Sequence, residues 1–118
     1  MQSREEMENL KIYKKLIAAI RQYCAGRDVN YMFLHGGCYW LASILHEYIP
    51  DSNIVFNRKF QHCACQFNRG IYDIRGRIMS EGFTIATEKD MAYMRKHFIP
   101  YFDTEALNGY VYLVMNEQ

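Results

Sequence analysis

Residues 61–75 read QHCACQFNRGIYDIR. The first run alternates, with Cys63, Cys65 and Phe67 on one face and His62, Ala64 and Gln66 on the other. Asn68, Arg69 and Gly70 form a turn signal in which Gly70 can adopt a positive φ. The run IYDIR then alternates again. Matching the apolar faces sets Phe67 opposite Gly70, Cys65 opposite Tyr72 and Cys63 opposite Ile74, with Asn68 and Arg69 as the turn. A slip of one residue would expose both cysteines and Tyr72, so the hydrophobic pattern selects this register. The stretch is an antiparallel hairpin, and the rest of the chain must cover its apolar face.

The flanks supply that cover. Leu10, Tyr13, Leu16, Ile17, Ile20 and Cys24 follow helical spacing, which predicts a helix over 5–25 with Gly26 beyond its end. Cys38, Leu41, Ala42, Leu45, Tyr48 and Ile49 repeat the spacing over 38–49, and Pro50 stops it. Strands are expected at about 54–57, 61–67 and 71–75. Thr87 followed by Asp90 marks the start of a helix over 88–97. The run GYVYLVM, 109–115, reads as an apolar, aromatic C-terminal strand. The pattern predicts a single α+β domain over 1–118, with a small antiparallel sheet and helices packed on it.

Composition narrows the class. The chain has 118 residues, half of them hydrophobic, with ten Tyr and seven Phe, which excludes a disordered segment. Fourteen basic and thirteen acidic residues are interspersed and give a net charge of +1, so no nucleic-acid partner is expected. The mixed charges of MQSREEMENLKIYKK do not make a secretory signal. No apolar run approaches the roughly 18 residues of a membrane span. Four cysteines without such a signal suggest reduced thiols and a cytoplasmic location.

The motif HGGCYW, 35–40, places two glycines before a cysteine that opens a helix. A helix N-terminus favours thiolate, so a cysteine there is a candidate nucleophile. Gly36 and Gly37 would let a substrate backbone approach, and the backbone N–H of Cys38 would face an oxyanion. In the hairpin register Asp73 lies opposite Ala64, which makes His62 and Asp73 diagonal neighbours on one face. Cys38 would attack an acyl carbon, His62 would carry the proton, and Asp73 would orient the imidazole. His35, Tyr39 and Trp40 would wall the substrate, with core packing as the other reading of the two aromatics. Arg75 and Arg77 read as solvated strand-edge charges, or else as contacts for an acidic group.

The stretches GGCYWLASIL, QHCACQF and GIYDIRG together resemble the core of the papain-like and transglutaminase-like cysteine enzymes. The resemblance spans about residues 36–76. It implies a papain-like or transglutaminase-like fold and a cysteine hydrolase or acyl transferase acting on a peptide, isopeptide or amide, through Cys38, His62 and Asp73. A zinc site drawn from His35, Cys38, His62, Cys63 and Cys65 is disfavoured, because successive strand residues point to opposite faces and no CxxC is present. No metal and no cofactor are expected. The alternative to an enzyme is a phage-type inhibitor or binding module that covers a partner protein, with aromatic and Arg side chains as anchors.

Overall fold

The computed structural model describes residues 2–117. Three helices come first: α1 (Arg4–Tyr23), α2 (Val29–Leu34) and α3 (Cys38–Tyr48). Five strands follow: β1 (Asn53–Asn57), β2 (His62–Phe67), β3 (Gly70–Asp73), β4 (Gly76–Ile78) and β5 (Thr84–Ile85). Two helices, α4 (Glu88–His97) and α5 (Thr104–Met115), close the chain. The strands form one antiparallel sheet in the order β4-β3-β2-β1-β5, so the fold is α+β as expected.

The hairpin register agrees with the hydrophobic pattern: Cys65 pairs with Tyr72, Gln66 with Ile71 and Phe67 with Gly70. Asn68 and Arg69 both have positive φ, 50° and 63°, as a two-residue turn that follows strand twist requires. Gly70 does not take the positive φ expected of it. A β-carbon there would instead crowd the Arg77 side chain and the Tyr72 ring.

Capping fixes the helix starts. Ser3 and Glu6 form a capping box at α1, and Thr87 and Asp90 form another at α4. Asp28 caps α2, the short helix that pattern reading left unassigned. The C-terminal strand expected at 109–115 is the helix α5. Asp103 accepts a hydrogen bond from the Ala106 N–H and starts it, and Leu107 and Val111, four apart, are fully buried on one face. The β-branched and aromatic composition of the run suggested a strand, but packing across the domain overrides that propensity.

Two apolar clusters fill the helical side of the sheet. The larger joins α1, α2, α3 and α5 to Cys65, Phe67, Tyr72 and Ile74. The smaller joins Cys38, Tyr39 and Ala42 of α3 to Phe56, Cys63, Met94 and Phe98. Val55, Ala64 and Ile71 make a third cluster on the opposite face, roofed by Ile78 and Phe83. The roof is partial, and an open groove begins beside it.

Candidate functional site

Cys38 opens α3, His62 opens β2 and Asp73 ends β3, so the fold brings the three residues to one locus. The His62 Nε2 lies 2.8 Å from the Asp73 Oδ2. The diagonal placement read from the register is therefore a side-chain hydrogen bond. Arg75, read as a solvated charge, instead turns back on the same carboxylate. Its Nη2 donates to Oδ2 at 2.7 Å, and its backbone N–H donates to Oδ1 at 2.8 Å. Asp73 is only 1% exposed, and a buried carboxylate persists only when its oxygens are satisfied in this way.

The electrostatics follow from these contacts. Burial pushes the Asp73 carboxyl up, but hydrogen bonds from His62 and Arg75 outweigh it and hold the group below the ordinary carboxylate range. Burial likewise favours neutral His62, yet Asp73 and the neighbouring Cys38 thiol raise its pKa from 6.5 to about 9. His62 is thus an imidazolium at neutral pH. Burial drives the Cys63 thiol well up, with Cys38 adding to the rise, and lifts Cys65 to about 11. All four cysteines are free thiols.

Access separates the residues. Cys38 is only 2% exposed and packs within the cluster of Phe56, Cys63, Met94 and Phe98. The paired glycines are occupied by the chain itself. A β-carbon on Gly36, whose φ is +99°, would collide with the Ile99 carbonyl oxygen, and one on Gly37 would collide with the Met32 carbonyl and crowd Phe102. The space expected to admit a substrate backbone holds the protein's own α4–α5 connection. Tyr39 is buried, and its hydroxyl accepts a hydrogen bond from the Arg95 Nη1 at 2.9 Å. Trp40 stands edge-on to the Tyr39 ring. Neither lines the groove, and both pack in the cluster around Cys38.

The groove itself encloses about 1230 Å³. Its walls come from the β1–β2 turn, from β4 and from the β4–β5 connection, and His35 and His62 reach it from the other side. Phe60 and Met79 stand on its rim, 70% and 79% exposed. Sequence reasoning missed these two residues. Their signal was a bulky apolar side chain inside an otherwise polar segment, NRKFQ (57–61) and MSEG (79–82). Among the described residues no cluster of three or more His, Cys, Asp or Glu is placed to hold a metal ion. Among them, too, no helix is long and apolar enough to cross a membrane.

A protein-family model described as Phage YunG-like protein matches residues 16–112, most of the chain. No curated protein and no solved structure matches it. The family match overturns the resemblance to papain-like and transglutaminase-like enzymes, and with it the expectation of cysteine acyl chemistry through a catalytic triad. The buried sulfur and the filled glycine turn are the physical counterpart of that correction.

Proposed function

The chain belongs to the Phage YunG-like protein family, and from that premise we propose that it is a non-catalytic, phage-type binding protein that covers a surface of a partner protein. The observation that carries this reading is the exposure of Phe60 and Met79 on the rim of a large open groove. Each Å² of apolar surface left in water forgoes about 25 cal/mol, so two such side chains at one opening suit a surface that another molecule covers. The same site keeps its one candidate nucleophile buried. We place this activity in the cytoplasm, where four free thiols stay reduced.

The test is affinity purification from host extract with three proteins: wild type, Cys38→Ala, and the double variant Phe60→Ser with Met79→Ser. The reading requires wild type and Cys38→Ala to retain the same partner, intact and at equal stoichiometry, while the rim variant folds and loses it. Turnover of that partner by wild type but not by Cys38→Ala would sink it.

A further inference from the structure

The two apolar side chains on the groove rim come from different segments, and one buried amide joins those segments. Phe60 belongs to the β1–β2 turn, 58–61, and Met79 to the β4–β5 connection, 79–83. Asn57 ends β1 at the foot of the turn and is only 3% exposed, although it borders the groove. Its Oδ1 accepts a hydrogen bond from the Phe60 N–H at 3.2 Å. Its Nδ2 donates to the Glu81 carbonyl at 3.3 Å. Among the described residues no hydrogen bond runs directly between 58–61 and 79–83, so Asn57 is the polar bridge.

Each segment is otherwise closed on itself. Gln61, at a φ of 51°, donates from Nε2 to the Arg58 carbonyl at 2.8 Å, and its Oε1 accepts from the Tyr93 hydroxyl at 2.8 Å. Arg58 pairs with Asp90 of α4. In the other segment the Phe83 N–H donates to the Ser80 carbonyl at 3.2 Å, and Phe83 helps to roof the third apolar cluster. Gly82, at a φ of +85°, lets this segment close on Asn57, since a β-carbon there would lie 2.8 Å from the Asn57 Nδ2. A buried amide is stable only when its donor and its acceptor are both bonded, which ties the position of one segment to that of the other.

Resting on the binding role proposed above, we infer that Asn57 is a positioning residue for that role, holding Phe60 and Met79 at one fixed spacing so that the partner meets both anchors already arranged. A face arranged in advance loses less loop and side-chain freedom on association. The partner touches Phe60 and Met79, and Asn57 acts through them.

Amide hydrogen exchange read by NMR tests the bridge without a partner. Asn57→Ala removes the acceptor of the Phe60 N–H outright, so the deciding amide is Phe83, whose own acceptor is Ser80. The Phe83 amide should exchange about tenfold faster in Asn57→Ala, because its segment then opens without breaking the bond to Glu81. A residue that only supports the fold would change the Phe83 exchange no more than that of the hairpin amides in 62–73. Gln61→Ala is the control: it loosens the turn alone, so the Phe60 amide should speed up and the Phe83 amide should not. The partner retained by wild type in the purification above, itself purified intact, is then titrated. Asn57→Ala, with both anchors still present, should bind it about tenfold more weakly. Unchanged Phe83 exchange in Asn57→Ala, faster Phe83 exchange in Gln61→Ala, or unchanged affinity in Asn57→Ala would each overturn the inference while the binding role stands. Retention of no partner by wild type, or of the same partner by Phe60→Ser with Met79→Ser, removes the binding role and the inference with it.

Discussion

The two ends of the β2–β3 hairpin are held by opposite kinds of chemistry. At the turn end, Phe67 and Tyr72 stack with ring centres 4.0 Å apart, and Tyr13 of α1 leans on both. Asn68 locks the turn to α1, donating to the Glu6 carbonyl at 2.7 Å and accepting from Asn9 at 3.1 Å. At the open end, a buried carboxylate holds an imidazolium and a guanidinium. That end is also tied to α1, since the Tyr13 hydroxyl donates to the Asp73 carbonyl and Arg21 donates to the Ile74 carbonyl. One helix therefore anchors both ends, the turn end through stacked rings and exposed or part-buried hydrogen bonds, the open end through contacts to a strand end that carries a buried ionic cluster. Apolar packing is indifferent to pH, whereas the ionic end is not. The groove lies at the end whose stability depends on charge.

The sharpest break in this comparison is Asp73→Ala. It removes the hydrogen-bond partner of the His62 ring and of the half-exposed Arg75 guanidinium, and breaking a buried ionic pair in this way costs about 3–5 kcal/mol. Urea denaturation should show that loss, with Asp73→Asn losing distinctly less because the amide still accepts a hydrogen bond. A loss from Asp73→Ala below about 1 kcal/mol would mean that the network contributes nothing to the fold.

Phe67→Ala attacks the other end. It empties a fully packed stack and should cost about 4 kcal/mol, within the range for a buried Phe. The loss should be the same at pH 6 and pH 9, and a strong pH dependence would show that the two ends are not separable.

The pH profile of the wild type distinguishes the ends directly. His62 titrates near 9 in the fold against an ordinary 6.5, so its contribution is complete below pH 6.5 and is lost as pH rises through 9. The full shift corresponds to roughly 3 kcal/mol. Asp73, held below its ordinary 3.8, contributes above that value and loses its contribution as pH falls through its lowered folded value. Stability should therefore be highest between about pH 4 and 6.5 with respect to these two groups. The alkaline decline should be absent in His62→Gln, and its persistence there would assign it to another group.

Asn68→Ala should have the smallest effect, about 1 kcal/mol. It removes two side-chain hydrogen bonds and leaves alanine in a left-handed backbone position that Asn tolerates better. A melt that leaves the midpoint unchanged would show that the turn is set by strand pairing alone.

The parts legible in the sequence were those fixed by near neighbours. The hairpin register followed from two alternating runs and a turn, all within fifteen residues. The start of α3 followed from the helical spacing that begins at Cys38 and its end from Pro50. The His62–Asp73 hydrogen bond followed from that register. What could not be read depended on distant residues. The segment 109–115 is helical because its Leu107–Val111 face packs into the core beneath α1, which nothing local reveals. Gly36 and Gly37 look like an opening until Ile99 and Phe102, more than sixty residues later, arrive to fill it. The exposure of Phe60 and Met79 was hidden for the converse reason, since apolar residues are normally credited to the core.

The filled glycine turn has a kinetic consequence. Cys38 shares its cluster with Phe98, and the following residues, Ile99 to Phe102, rest against Gly36 and Gly37. Cys38 is 2% exposed, so a reagent meets its sulfur only after a local opening of this cluster. The labelling rate of that thiol therefore acts as a clock that counts such openings.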